Sequence, residues 1–297
     1  MNSTDRRFRH LCYFCAGLAA LLMLGFFAQM TAASWEAWRR FGLGFLVSRE
    51  WNPSEDKYGA LVPLCGTLFT TVIALALATP PAFAAANYLV DAPKKVSSIL
   101  GNMIDLLAAI PSIIYGMWGL FVLAPFMQEH VQPFLVDTLG LGGTFLFSEY
   151  YNGFGLFTAG VILAIMILPF MCATMRDVLR MTPPVLKEAA FGVGCTRHEV
   201  TKDILLRYGI RGLLGSVFIG LGRALGETMA VLFVIGNMME LPDGVFGSTT
   251  TVAATLANNF AEADGLQRST LFALGLTLLA MSFAIQVVAQ RLIAKAE

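Results

Sequence analysis

Six stretches of this chain are apolar for long enough to cross a bilayer, and the polar residues fall mainly between them. The runs cover residues 11–33, 61–90, 99–127, 155–175, 213–236 and 270–293. Each has the about 20 residues that a helix rising about 1.5 Å per residue needs to cross a hydrocarbon core about 30 Å thick. The pattern predicts an all-α integral membrane protein with six transmembrane helices. Residues 1–10 precede the first, residues 34–60 form an external loop, and residues 61–297 hold a core of five helices with a cytoplasmic loop at 176–211. Arg6, Arg7, Arg9 and His10 lead into the first run, and Thr31-Ala32-Ala33 resembles a signal-peptidase site. A signal peptide has an apolar region of only about 7–15 residues, so the longer run here favours an uncleaved first helix.

Prolines interrupt the pattern in two places. Pro63, Pro80 and Pro81 in the second run, and Pro111 and Pro125 in the third, predict kinked or broken helices. A membrane tolerates such breaks only where protein or a cavity re-satisfies the freed backbone groups. Lys and Arg are distributed unevenly between the flanks. Fourteen lie on one set (residues 6–9, 94–95, 176–211 and 291–295) and five on the other, with Arg223 inside a span. The excess marks the cytoplasmic side and predicts that both termini are cytoplasmic. Gly140-Leu141-Gly142-Gly143, between the third and fourth runs, reads as a flexible turn.

Composition fits this picture. Of 297 residues, 57% are hydrophobic and 13% charged, and the formal net charge is zero. A soluble domain carries roughly 25% charged residues, and a neutral chain has no global basic surface for nucleic acid. Cys12-x-x-Cys15 has the spacing of a redox motif but opens a lipid-like run, so a structural, inert role is favoured. His10, His130 and His198 are isolated, and no metal site is predicted. No G-x-x-x-x-G-K-[ST] occurs, so the chain has no P-loop of its own for ATP. An intramembrane hydrolase would need a nucleophile with its base or a metal set, and neither H-E-x-x-H nor G-x-S-x-G is present. An ion-coupled carrier would need several membrane carboxylates; only Glu227 and Asp105 qualify. Asp105 reads as interfacial or paired with a basic residue, and at Pro111-Ser112 the serine hydroxyl is expected to bond a carbonyl freed by the kink.

Local signals concentrate in the cytoplasmic loop. Thr182-Pro183 reads as a cap and first helical position, Lys187–Phe191 continue that helix, and Gly192 and Gly194 can end it. Thr196 with Glu199 matches a capping box that opens a second helix toward Leu206. From composition alone this is a basic loop held against headgroups. The residues themselves also resemble a known pattern. Glu188-Ala189-Ala190, then Gly194, then Ile204-x-Leu206, is similar to the EAA loop of ABC importer permeases, with Arg207 where that family has its closing proline. The resemblance implies that this loop docks on an ATP-binding subunit.

The most expensive feature is in the fifth run. Arg223 and Glu227 stand in Gly222-Arg223-Ala224-Leu225-Gly226-Glu227-Thr228-Met229-Ala230-Val231, where a charge costs at least ~2.5–3.5 kcal/mol. At i, i+4 on one helix the two can neutralise each other, and Gly222 and Gly226 thin the helix for a close neighbour. Counted from Leu213 at about 1.5 Å per residue, Arg223 lies ~15 Å deep, near midplane. A guanidinium there is a permanent, bidentate partner for an oxyanion; alternatively the pair only fixes helix packing.

This segment resembles the signature of phosphate-specific permeases. So do Trp51-Asn52-Pro53, Tyr58-Gly59-Ala60 and Ala109–Gly116, which are similar to the PstC-type subunit. The resemblance implies a type I ABC importer permease fold in a bacterial cytoplasmic (inner) membrane. It also implies a PstA-type second permease, a PstB-type ATPase dimer that binds the ATP, and a PstS-type phosphate-binding protein. Arg223, Glu227 and Thr228 are then the candidate substrate-pathway residues. Another oxyanion, molybdate or sulfate, remains open, since Arg223 alone does not choose among them.

Overall fold

The structure, a computed structural model, describes residues 3–138, 140, 144 and 152–295. All regular elements among the described residues are helical. Helix α1 spans Ser3–Ala33, α2 Trp35–Phe41, α3 Gly44–Val47, α4 Leu61–Asp91 and α5 Lys94–Ala109. Helix α6 (Ser112–Thr138) includes several π-helical turns. It is followed by α7 (Leu156–Arg180), α8 (Pro184–Gly192) and α9 (Arg197–Leu225). The last are α10 (Met229–Leu232), α11 (Val252–Asn259) and α12 (Gly265–Lys295). Among the described residues five helices are long and apolar enough to cross a membrane, or six spans if the bent pair α5–α6 counts as one.

The core is the pairing of α4 with α7. Ala74, Ala78, Ala82 and Ala86 recur every four residues along α4, and each is fully buried. Small side chains on one stripe let the two backbones approach, which is how helices associate without a hydrophobic driving force between them. Opposite them α7 contributes Ile162, Leu163, Met166, Ile167 and Met171 to the same cluster. Gly160 of α7 is closed off by Ile73 of α4. Helix α9 lies against α7, with Val178 filling the space at Gly212 and Met171 that at Gly220.

A second, smaller core closes the far end. Ala37, Phe45, Tyr58, Ala60, Val252, Ala273 and Leu274 pack together, so residues 34–60 form a compact cap containing two short helices. Trp38 meets Phe45, and Trp51 meets Tyr58, edge to face at centroid distances of 5.9 and 5.1 Å. Trp35 stays exposed, as an interfacial anchor would. The connection after α10 also folds inward. Thr249, Thr250 and Thr251 are buried, Thr251 caps α11 by accepting from the Ala254 N–H at 3.2 Å, and the Val252 N–H donates to Thr67 Oγ1 of α4 at 3.0 Å.

Three expectations need correction. Pro63, Pro80 and Pro81 do not break α4, which runs unbroken across them; only Pro111 does so, turning α6 by 89° from α5. The fifth run is not one helix to Gly236, because α9 stops at Leu225 and residues 226–228 are non-helical. The second helix of the α7–α9 connection does not end near Leu206, because with arginine at 207 in place of proline nothing halts it. Of the turn at Gly140–Gly143, residues 141–143 lie outside the described residues.

Candidate functional site

Two interrupted helices meet at the centre of the chain. The first break is Ile110-Pro111. Pro111 lacks an N–H, and the residue before proline is pushed to extended backbone, as Ile110 is, with ψ 129°. The Tyr115 hydroxyl reaches back over the gap and donates to the Leu107 carbonyl at 2.9 Å. That satisfies a carbonyl at the end of α5, the task expected of Ser112, for which no side-chain hydrogen bond is found among the described residues. One residue on, Gly116 packs directly on α10, where only a glycine leaves room for the Met229 carbonyl and Ala230 Cα.

The second break follows Arg223. Gly226 caps the end of α9, and Thr228 stands before α10. Glu227 lies between the two helices and accepts a hydrogen bond from the Ala230 N–H on Oε1 at 3.2 Å. No ion pair joins Arg223 and Glu227 among the described residues. The i, i+4 pairing presupposes a continuous helix, and here the helix ends between the two. Glu227 satisfies an orphan donor of α10, and Thr228 Oγ1 makes only a long contact, 3.5 Å, to the Gly226 carbonyl.

Arg223 is held by a ring. Its guanidinium carbon sits 3.9 Å above the centroid of Phe170 on α7, next to Pro169, which lies buried in that helix. Its Nε is buried without a hydrogen-bond partner. Stacking on an aromatic face fixes a guanidinium while leaving its in-plane donors free. An arginine in this state is a pre-positioned, under-satisfied cation. Phe170 was missed from the sequence because it is one more aromatic in an apolar run. A Cβ built at Gly222 would stand 3.2 Å from Gln286 Nε2 of α12, and one at Gly226 would meet only its own helix; it is Gly212 and Gly220 that face α7, at Val178 and Met171.

The connection between α7 and α9 has its own geometry. Helix α8 exposes Glu188 and Ala189 and buries Ala190. Gly194 takes φ +92°, the left-handed region that favours glycine, and faces open space. Thr196 and Glu199 form both arms of the capping box, with the Thr196 N–H donating to Glu199 Oε2 at 2.7 Å. Leu206 packs on the main core, whereas Ile204 is half-buried. Beside Glu188 stand the exposed apolar side chains of Met181, Val185, Phe191 and Val193, Val193 at 82% exposure. Lys187 reaches Asp91 at the end of α4, 3.5 Å away, and Thr201 Oγ1 contacts Asn87 Oδ1 at 3.4 Å. The connection is thus an apolar, exposed helix pinned to the core by polar contacts.

A multi-helix core with two broken spans, a half-buried arginine whose Nε has no partner and an outward apolar loop is the construction of a membrane permease. Residues 78–296 match the family described as "binding-protein-dependent transport system inner membrane component", and the chain belongs to that family. Within it, the chain is similar to phosphate transport system permease proteins PstC. It is 46% identical to the one from Haemophilus influenzae over 94% of this chain and 89% of that protein. It is 45% identical to that of Pasteurella multocida over 98% and 92%, and 32% identical to a probable PstC of Methanocaldococcus jannaschii over 90% and 86%. Among solved structures, a chain of a bacterial alginate ABC transporter superposes with a TM-score of 0.63 at 15% identity, covering 96% of this chain and 94% of that one. A chain of the MetNI methionine ABC transporter gives 0.56 at 16% identity, covering 80% and 96%. The ABC-importer permease fold is therefore shared well beyond recognisable sequence.

Proposed function

We propose that this chain is a permease subunit of an ATP-driven phosphate importer. The observation that carries the reading is its near-full-length similarity to phosphate permeases PstC, and Arg223, stacked and under-satisfied, supplies the chemistry. An anion leaving water for an apolar passage loses its hydration. A guanidinium already positioned on Phe170 offers charge-assisted bonds without further reorganisation. A single guanidinium holds an anion less tightly than a cluster of cations would, and conduction requires binding weak enough to release. Discontinuous helices near midplane are a recurrent setting for substrate in transporters, and the breaks at 110–111 and 226–228 bracket this position. Glu227 and Thr228 act here as the hinge that frees the helix end, not as ligands.

Transport of this kind needs energy from another chain. Helix α8, with Glu188, Ala189, Ala190, Gly194 and the apolar Val185 and Val193, is the surface for a PstB-type ATPase dimer, which binds the ATP. A PstA-type permease completes the pathway, and a PstS-type protein delivers phosphate from outside. Both termini then lie in the cytoplasm of a bacterial inner membrane. The test is ATP-dependent uptake in vesicles carrying the whole complex, with phosphate, molybdate and sulfate compared for wild type and Arg223→Gln. Phosphate uptake lost in an intact Arg223→Gln complex supports the reading. Undiminished uptake makes Arg223 a packing residue, and a preference for molybdate or sulfate replaces phosphate as the substrate.

A further inference from the structure

A cavity of about 420 Å³ lies between the start of α5 and the end of α7, on the side of the molecule that carries α8. Its walls include Lys94, Ser97, Asn102 and Asp105 of α5, with Arg176 and Arg180 of α7. We infer that this cavity is a binding site for a phosphate group, separate from Arg223.

Three cations meet one carboxylate on its walls. Arg180 Nη2 donates to Ser97 Oγ at 3.1 Å, and that hydroxyl donates onward to the Leu89 carbonyl at 2.9 Å. Arg180 is oriented by a buried hydroxyl and has no carboxylate partner among the described residues. Arg176 lies across Gly101, where a Cβ would stand 2.8 Å from Nη1, and its side chain is only 13% exposed. Among the described residues its sole partner is the adjacent Asp177, 3.4 Å from Nε and largely in solvent. Both guanidinium forks therefore keep most of their donors unused, an arrangement suited to a tetrahedral dianion that accepts two bidentate pairs. The start of α5 adds to this. Pro93 provides no side-chain cap and no acidic residue stands in the first turn, so the helix presents unpartnered N–H groups and its positive dipole end near Lys94. Asp105 sits four residues, about 6 Å, beyond the Gly101 that Arg176 crosses and eight residues, about 12 Å, beyond Ser97; among the described residues it forms no ion pair with either arginine, and the Lys94–Ser97 end is the more cationic. Along α7 the site lies about 9–15 Å from the Phe170–Arg223 stack, six residues from Phe170 to Arg176 and ten to Arg180.

Inorganic phosphate and the headgroup of an anionic lipid present the same chemistry, and two arms separate them. The assembled transporter carrying Arg223→Gln is placed in phosphatidylcholine nanodiscs, and equilibrium binding of radiolabelled inorganic phosphate is measured without the binding protein. The same complex in discs containing phosphatidylglycerol is examined by native mass spectrometry for retained lipid. Arg176→Gln with Arg180→Gln should lower phosphate affinity at least tenfold in the first arm, or abolish lipid retention in the second; the arm that responds identifies the source. If neither responds, the inference fails. Should the double variant not assemble, Arg180→Lys and Ser97→Ala, which keep the charge or the volume, are measured instead. Binding unchanged in both variants and both arms overturns the site. Because Arg223 is already replaced, the outcome does not depend on the transport reading.

Discussion

Replacing Gly116 with alanine should force the two interrupted segments apart. A Cβ built there would lie 2.8 Å from the Met229 carbonyl oxygen, 3.1 Å from Ala230 Cα and 2.6 Å from Phe233 Cδ2. Ordinary van der Waals contact begins at 3.4 Å, so the carbonyl is 0.6 Å too close (3.4 less 2.8). Phe233 can rotate away, but the Met229 and Ala230 atoms are backbone, so α10 has to retreat as a unit. Overpacking of this order costs about 1–3 kcal/mol. Gly220→Ala is the matched control, because its nearest atoms are Met171 Sδ at 2.7 Å and Cγ at 2.8 Å, the flexible end of a thioether. Both variants should be purified as assembled complexes and heated, with surviving complex read by size exclusion and uptake measured in vesicles. At about 2–4 °C per kcal/mol, Gly116→Ala should lower the midpoint by several degrees and reduce uptake, with Gly220→Ala affected less because a side chain, not backbone, has to move. A Gly116→Ala complex as stable and active as wild type, or a Gly220→Ala complex damaged more, refutes the account of the crossing.

Other consequences can be measured in the same complex. Asp91→Asn and Lys187→Gln should each weaken stimulated ATP hydrolysis and be non-additive when combined, with a coupling of about 0.5–1 kcal/mol given the partial exposure of the pair; additive effects would show that the contact transmits nothing. Thr196→Ala removes the capping box and should cost about 1 kcal/mol, speeding amide exchange over residues 197–200 roughly fivefold by hydrogen-exchange mass spectrometry. Phe170→Leu removes the ring under Arg223, worth about 0.5–2 kcal/mol, and should raise the half-saturating phosphate concentration for uptake while Phe170→Tyr does not. Equal values for the two variants would count against the stack.

The sequence disclosed most where a physical signal was local. Thr196 and Glu199 form the predicted capping box, since both partners lie within one turn. The six apolar runs stand out because length against bilayer thickness is a coarse and robust measure. Prolines were less informative: Pro80 and Pro81 sit inside a continuous α4, whereas Pro111 separates two helices. The difference is tertiary, since the chain after Pro111 packs across α10 while α4 packs along α7 throughout the stretch that holds Pro80 and Pro81. The break at 226–228 carries no proline, and its Gly-Glu-Thr reads as helix until the Glu227 side chain is seen bonding Ala230. The Arg223–Phe170 stack joins residues 53 positions apart (223 less 170) on different helices, and the cavity walls join α5 to α7. Neither pairing has a signature in one sequence.

From Arg197 to Leu225 the chain is helical throughout, with π-helical turns at 200–205, and Gly212, midway along it, bears on Val178 of α7 with no room for a Cβ. That makes it an oar with a rowlock. Arg197 lies fifteen residues to one side and Arg223 eleven to the other, about 22 Å and 16 Å. A tilt of about 5° around Gly212 would carry the capping-box end about 2 Å one way and the guanidinium about 1.4 Å the other. Hydrogen bonds weaken sharply over such distances, so under the proposed function a stroke of a few degrees is large enough for Arg223 to make or release bonds to an anion.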